Sequence, residues 1–327
     1  MTSGGQVARK SLSLQKAWFL TKGRLRSLGI VIGLIIMILF LALKSEAFLK
    51  PANLLNILRQ SSVVGIMAVG MTFVLIVGGF DLSVGSAMGL AGGLAVGLLP
   101  KIGLGPSLLV ALLMGIVAGM VNGLLVVKLN VNAFVATLGI MNILRGILLM
   151  YSGGKTMFSP DRSFALIGSG YLGPIPIPVV IFTVVTLCSA FILHRTRFGR
   201  YIYAVGGNEE ASIFSGIDAG FYKAASFAIV GLLAALSGVV LASRLQSVAP
   251  MAGSGYELDA IAAAVIGGTS ISGGQGSIWQ TVAGVFVLGV INNGFNILNV
   301  NEYIQLVFKG AIVVAAVALD TYSKRKT

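Results

Sequence analysis

The chain has 327 residues, of which 56% are hydrophobic and 10% are charged, with a mean hydropathy of +0.96. Soluble domains carry about 25% charged residues, so the composition excludes an ordinary soluble protein and predicts an integral membrane protein. The formal net charge is +13, but Lys and Arg stand mostly at the ends of apolar runs, which is not typical of nucleic-acid binding. A single cysteine and a single histidine exclude a disulfide scaffold and a Cys- or His-based metal site.

Apolar runs near the length of about 20 residues that a helix needs to cross hydrocarbon recur along almost the whole chain. We therefore predict an all-α, polytopic membrane helical bundle of about ten transmembrane helices. The run at 258–269 is short for a crossing helix, which indicates tilt, a backward extension or a break within the membrane. The transmembrane domain is expected at 28–322, between an N-terminal segment at 1–27 and a C-terminal tail at 323–327. The predicted spans are 28–43, 58–79, 84–99, 106–127, 133–151, 176–194, 221–243, 258–269, 278–297 and 303–320.

Lys and Arg residues between these spans predict the orientation of the chain. With the N-terminus inside, the cytoplasmic side holds twice as many of them as the outer side, as the positive-inside rule requires. We therefore expect both termini in the cytoplasm. No convincing small-residue cleavage site follows the first apolar run, which predicts a retained first span and not a removed signal peptide.

The stretch GGFDLSVGSAMGLAGG at 78–93 places the carboxylate of Asp81 between glycines in apolar sequence. In one interpretation, Asp81 and Ser83 terminate and cap helices at a cytoplasmic turn. In the other, the helix breaks at a translocation path or hinge, because an ionisable group at membrane depth is costly unless it has a function. Lys309, inside the last predicted span, is expected to pair with an acid of the bundle, whereas Arg145 is expected to reach the headgroups. The candidates for the path or hinge are Asp81, Ser83, Gly85, Asn122, Asn142, Asn293 and Lys309.

Two patterns of small residues bear on the architecture. IVGGFDLSVG at 76–85 resembles VIGGTSISGG at 265–274, with Gly78 opposite Gly267 and Ser270 where the first copy has Asp81. Both an internal repeat, as many transporters have, and a chance match of common residues explain this similarity. Glycines at four-residue spacing predict helix faces that allow close packing in lipid. They form two series, Gly85, Gly89, Gly93 and Gly97, and Gly115, Gly119 and Gly123.

Two connections are long enough to have a role of their own. The segment at 152–175 is predicted outside, as an ordered loop or a short surface helix. The segment at 194–220 is predicted inside, where Asn208 can cap a short helix that has acids in its first turn. An apolar stripe that includes Phe214 makes this helix amphipathic, and Gly216 can end it. Such a helix suits docking into a groove of a soluble partner, and the alternative is a solvated loop with one helical turn.

Four stretches together carry a family resemblance: GGFDLSVGS, FVATLGIMNILRG, RTRFGRYIYAVGGNEEASIFSGI and AAAVIGGTSISGGQGSI. In this order they resemble the permease subunit of bacterial ABC sugar importers of the ribose, xylose and arabinose class, a family that also includes autoinducer-2 permeases. The resemblance covers about 28–322. It implies a multi-pass permease of the bacterial inner membrane, a second permease copy or paralogue in a dimer, two copies of an ATPase domain on another chain, and a periplasmic sugar-binding protein.

The resemblance also assigns the cytoplasmic segment. Glu210, Ala211 and Gly216 match the E-A-A-x-x-x-G pattern of the loop that sits in the ATPase groove, and Ser212 replaces the second Ala. The implied activity is import of a pentose, a hexose or a related polyol; the chain is not expected to be an enzyme or to bind a cofactor, and ATP and Mg²⁺ are expected on the ATPase chain. SGGKT at 152–156 lacks the Gly at 149 that a phosphate-binding loop requires. The candidates for coupling are Gly199, Arg200, Gly206, Asn208, Glu209, Glu210, Ala211 and Gly216.

One alternative from another class stays open. In an ion-coupled secondary transporter or channel without an ATPase partner, Asp81 and Lys309 would carry the ion or proton coupling. A coupling helix in the segment at 194–220 would have no role in such a protein, so this segment separates the two hypotheses.

Overall fold

A computed structural model of the protein describes residues 32–325. Within this range the regular structure is almost all helical. The strands are two-residue pieces that pair antiparallel, the first in the chain with the fourth and the second with the third. The helices are α1 Ile32–Lys44, α2 Pro51–Ile76, α3 Val84–Ile102, α4 Leu104–Val127, α5 Ala133–Ser152, α6 Arg162–Ser169, α7 Ile177–Arg195, α8 Arg197–Gly207, α9 Glu209–Phe214, α10 Ala219–Leu245, α11 Tyr256–Ile266, α12 Ile278–Ile297 and α13 Glu302–Arg325, and the strands are β1 Met157–Phe158, β2 Tyr171–Leu172, β3 Ile175–Pro176 and β4 Ser247–Val248.

Seven of the described helices are long and apolar enough to cross a membrane, namely α2, α3, α4, α5, α7, α10 and α12. The protein is therefore a polytopic helical membrane protein, as the composition predicts. The three other predicted spans fall on α1, α11 and α13, which are not among the seven; α11 has only 11 residues. The predicted N-terminal segment at 1–27, the start of the first span at 28–31 and the last two residues of the tail lie outside the described residues.

Helices α2 and α10 lie at the centre of the bundle. Every residue of the stretch from Ser61 to Val77 is buried, as expected for a helix that is apolar on all sides. Helix α10 packs along α2, α3 and α4, and its Ser237 hydroxyl donates to the backbone carbonyl of Val63 in α2 at 2.6 Å. The other helices surround this pair.

The predicted glycine faces are close-packing surfaces. On α4, a Cβ at Gly119 would overlap with the backbone carbonyl of Phe227 in α10, and a Cβ at Gly231 of α10 would overlap with the carbonyl of Gly115. The backbones of α4 and α10 therefore touch directly. On α3, Gly89 of the first series likewise has no room for a side chain, because a Cβ there would overlap with the carbonyl of Ala252. Close packing of small residues replaces the hydrophobic drive that lipid does not supply.

The segment at 152–175 contains a short helix, as predicted. Asp161 caps α6 by accepting from the Phe164 amide at 2.8 Å. The Ser243 hydroxyl of α10 accepts from the Gly168 amide at 2.7 Å and donates to the Phe164 carbonyl. These bonds fix α6 to the end of α10.

Gly119→Ala is expected to lower the thermal midpoint of the purified protein in detergent. The added methyl group has no space against the Phe227 carbonyl, and overpacking of this kind costs about 1–3 kcal/mol. Gly105 is the matched control, because it lies on the same helix with no atom within 4 Å of an added Cβ. Gly105→Ala is expected to leave the midpoint unchanged or slightly raised, and equal midpoints for the two variants would contradict the packing argument.

Candidate functional site

The chain leaves helical geometry between α2 and α3, as the sequence predicts. Gly78 has a φ of 83°, which favours glycine because an L side chain would be strained there. Its amide donates to the Leu75 carbonyl at 3.0 Å, and the amide of Gly79 donates to the Val74 carbonyl at 2.8 Å. This pair of bonds satisfies two of the last carbonyls of α2, and α3 then begins at Val84.

The Asp81 carboxylate organises this break. Its Oδ1 accepts from the Ser83 amide at 2.8 Å and from the Ser83 hydroxyl at 2.7 Å. The Asn122 amide of α4 donates to Ser83 Oγ at 2.8 Å and lies 3.3 Å from Asp81 Oδ2. All three side chains are at least 98% buried. Among the described residues no cation forms an ion pair with Asp81, so hydrogen bonds alone hold this carboxylate.

The predicted cap of α3 is therefore wrong in detail. Ser83 does occupy the N-cap position, but its side chain makes no capping hydrogen bond. The hydroxyl donates to Asp81 instead. The turn is closed by the acid two residues earlier in the chain, a local side-chain bond that Asp makes readily.

A second break of similar geometry lies between α11 and α12. Gly268 has a φ of 100°, and the Thr269 amide donates to the Ala264 carbonyl at 2.9 Å. The Ser270 hydroxyl accepts from the Ser272 amide at 3.2 Å, as Asp81 does from that of Ser83. The Ser270 hydroxyl thus makes the same local bond, to the amide two residues later, that the Asp81 carboxylate makes in the first break.

At the helix end, however, the correspondence shifts by one residue. The left-handed glycine that matches Gly78 is Gly268 and not Gly267, whose φ is −61°. The two breaks also meet, because the Gly274 amide donates to the carbonyl of Ile76 at 2.8 Å. One hydrogen bond therefore joins the end of α2 to the connection that precedes α12.

The segment at 194–220 contains two helices, and each begins at a side-chain cap. Thr196 caps α8 by accepting from the Gly199 amide at 3.3 Å. Asn208 caps α9 by accepting from the Ala211 amide at 2.9 Å, so the predicted short helix is confirmed. Gly216, with a φ of 79°, lies two residues after α9 and turns the chain toward α10.

Helix α9 presents apolar side chains on an exposed surface. Phe214 is 91% exposed and Ile213 is 54% exposed, and Glu210 and Ala211 are also exposed. Ser212, which replaces the second Ala of the family pattern, points inward and donates to the Asn208 carbonyl at 2.8 Å. Two neighbouring apolar side chains are therefore exposed at the end of α9.

A cleft of about 380 Å³ lies beside α9. It is bordered by the ion pair between Glu209 and Lys223, whose charged atoms are 2.5 Å apart, and by Asn130 and Ile213. The predicted Gly199 is buried under α7, where a Cβ would overlap with the carbonyl of Leu193. Arg200 is exposed on α8.

The other polar candidates for the path lie apart from Asp81, Ser83 and Asn122, which together form the Asp81 cluster. Asn142 is exposed and donates only along its own helix, to Leu138 at 3.0 Å. Asn293 and Asn53 exchange amide hydrogen bonds of 2.8 and 3.0 Å between α12 and α2. The structure therefore joins Asp81, Ser83 and Asn122, and it does not join them to the three other polar candidates. Gly85, in the first turn of α3, faces the Gly253 carbonyl and the Glu257 carboxylate.

Lys309 pairs with an acid, as expected, and the acid is Asp259. Their charged atoms are 2.9 Å apart and tie α13 to the first turn of α11. Sequence reasoning overlooked Asp259, although it lies inside the predicted span at 258–269. Arg145, expected to reach the headgroups, donates to the carbonyl of Ala252 at 2.6 Å. Within 32–325, no group of three or more His, Cys, Asp or Glu side chains is placed to hold a metal ion.

A family model described as the permease component of branched-chain amino acid transport systems matches residues 53–317. The chain belongs to this permease family. The matched range begins in the first turn of α2, includes both breaks and the segment at 194–220, and ends within α13.

Relatives of this permease are similar to it over most of their length. The ribose import permease protein of Bacillus subtilis is 44% identical, over 91% of this chain and 94% of the relative. The ribose import permease protein of Escherichia coli K12 is 43% identical over 92% and 96%, and its xylose transport system permease protein is 35% identical over 100% and 96%. No solved structure matches this chain significantly.

Asn122→Ala in this permease is expected to lower the thermal midpoint in detergent. It removes hydrogen bonds to a buried carboxylate and to Ser83, and bonds to charged groups contribute about 1.5–3 kcal/mol each. Asn142→Ala is the matched control, because Asn142 is an exposed helical asparagine whose bond stays within one turn. A midpoint that falls equally in both variants would contradict the role given to Asn122.

Proposed function

We propose that this permease is the membrane subunit of an ATP-driven importer that moves a monosaccharide across the bacterial inner membrane. The proposal depends above all on one observation, the capped helix α9 with Phe214 exposed at its end. A side chain of this size gains most by burial against another protein. Since α9 lies on a connection between two spanning helices, α7 and α10, movement of a bound partner would act directly on the bundle.

The partner at α9 would be a separate ATPase chain. Glu210, Ala211 and Gly216 match the family pattern for the ATPase groove, and an amphipathic helix in a groove is a common mode of recognition. ATP and Mg²⁺ would be bound by that chain, and this permease would bind no cofactor. ATP binding would draw two coupling helices together and reorient the spans between outward-open and inward-open arrangements.

The remaining parts of the assembly follow from the same proposal. A periplasmic sugar-binding protein would deliver the substrate, and a second copy of this permease or a paralogue would complete a dimer in the lipid bilayer. The chain would cross with ten helices, of which α1, α11 and α13 are the three beyond the seven long apolar ones. Both termini would then lie in the cytoplasm. The relatives named for ribose, D-allose and xylose support a pentose or hexose as substrate.

We interpret the break held by the Asp81 cluster as a hinge between α2 and α3. The Asp81 carboxylate accepts from the Ser83 amide within the break and from the Asn122 side chain of α4. In the ion-coupled alternative Asp81 and Lys309 would carry the ion or proton coupling, and Lys309 is already paired with Asp259. No observation favours that alternative.

Phe214→Asp is expected to abolish co-purification of the ATPase chain and ATP-dependent ribose uptake in proteoliposomes. A carboxylate cannot be buried in an apolar groove without a partner. The matched control is Phe158→Asp, since Phe158 is also an exposed aromatic, 74% exposed, in the segment predicted outside. It should keep both activities.

The importer proposal would be wrong if the permease alone, reconstituted without the ATPase chain, took up ribose against its gradient when an ion gradient was imposed. It would also be wrong if the Phe214→Asp permease still bound the ATPase and transported normally while correctly inserted.

A further inference from the structure

Helices α8 and α9 meet at a single residue. Asn208 ends α8, with its amide donating to the Ala204 carbonyl at 3.0 Å, and begins α9, whose Ser212 amide donates to the Asn208 carbonyl at 3.1 Å. Its side chain also caps α9. No flexible linker separates the two helices, so a displacement of α9 is passed to α8.

The inner face of α8 packs deep in the protein. Ile202 and Val205 are 0% and 2% exposed. Beside them, Gly206 touches the end of α2 by backbone alone, since a Cβ at Gly206 would overlap with the Ile76 carbonyl oxygen and lie 2.8 Å from the Gly274 nitrogen. These two atoms are the partners in the hydrogen bond that joins the two breaks.

A second contact lies one helical turn earlier on the same face of α8. The Tyr203 hydroxyl donates to the carbonyl of Gly276 at 2.7 Å, in the connection that leads to α12. The phenol is protonated at neutral pH, as tyrosine ordinarily is, and burial raises the pKa of Tyr203 further, to about 12. Helix α8 therefore holds the second break at two points.

The direct link between α9 and the bundle is weaker. The ion pair of Glu209 with Lys223 has side chains that are 46% and 21% exposed, and exposed pairs contribute little because water screens them. A contact between backbones, by contrast, has no rotamers to absorb a shift. The contact at Gly206 is thus a stiff connection that runs from α9, through α8, to the end of α2.

We propose that Gly206 and Tyr203 are positioning residues that transmit movement of α9 to both helix breaks at once. This inference rests on the proposed function. It gives a physical route from an ATPase groove to the break at Asp81: α9 moves α8, and α8 displaces the Ile76 carbonyl together with Gly274. The elements that respond are the breaks, where the chain is not held by a continuous helical ladder.

The test measures coupling in proteoliposomes that hold the permease, its ATPase chain and the ribose-loaded binding protein. Gly206→Ala is expected to assemble with the ATPase but to lower the ribose imported per ATP hydrolysed about tenfold, the factor expected when one added methyl disfavours one of two packed arrangements. Gly207→Ala is the matched control, because the adjacent glycine has no atom within 4 Å of an added Cβ. It should import as the unchanged protein does.

Tyr203→Phe removes one hydrogen bond and adds no volume. It is expected to lower import per ATP about threefold, in keeping with the modest net free energy of one hydrogen bond, whereas Tyr201→Phe on the same helix should not. If Gly206→Ala fails to reach the membrane, Tyr203→Phe decides the question alone. Unchanged import per ATP in the folded Gly206→Ala or Tyr203→Phe protein would overturn this inference while leaving the importer intact. Failure of the unchanged permease to bind an ATPase would instead overturn the proposed function.

Discussion

The requirement that buried backbone groups be hydrogen-bonded governs this bundle. Within lipid or a packed interior no water is at hand, so a chain that leaves helical geometry must find protein partners for its amides and carbonyls. Residues 77–83 do so with a left-handed glycine that closes α2 and a carboxylate that accepts the next free amide. The connection at 267–277 uses a glycine and a serine hydroxyl in the same way.

Glycine also allows the backbones of different elements to approach each other closely. Where a carbonyl of one element meets the backbone of another, a side chain would keep them apart. Gly119 meets the Phe227 carbonyl and Gly206 meets the Ile76 carbonyl because neither residue has a side chain. The first pair fixes two long helices against each other. The second brings α8 against a break. The same absence of a side chain thus permits close contact both between two long helices and between a helix and a break.

Much of the fold could be predicted from the sequence because apolar length is a strong signal in membrane proteins. The spans at 84–99 and 133–151 correspond to α3 and α5 within a few residues. The cap at Asn208 was also predictable, since capping depends only on neighbouring residues. The sequence also indicated that α11 is exceptional, because the apolar run at 258–269 is short for a crossing helix.

The associations across the bundle were not predictable. Nothing local distinguishes Asn122, which binds the Asp81 cluster, from Asn142, which faces outward, because the choice depends on how α4 and α5 turn toward α3. The partner of Lys309 depended equally on the tertiary fold. Tyr203 and Gly206 carry no sequence signal for a contact with Ile76 or Gly276, since these residues are more than 70 positions away in the chain.

The hydrogen bond from Gly274 to Ile76 has a thermodynamic consequence of its own. If one break opened while the other stayed closed, a donor and a buried acceptor would lose each other, at a cost of about 1–3 kcal/mol for each group left without a partner. An arrangement with only one break opened is therefore sparsely populated. The Gly274–Ile76 hydrogen bond therefore couples the two breaks energetically, because separating them costs more than moving them together.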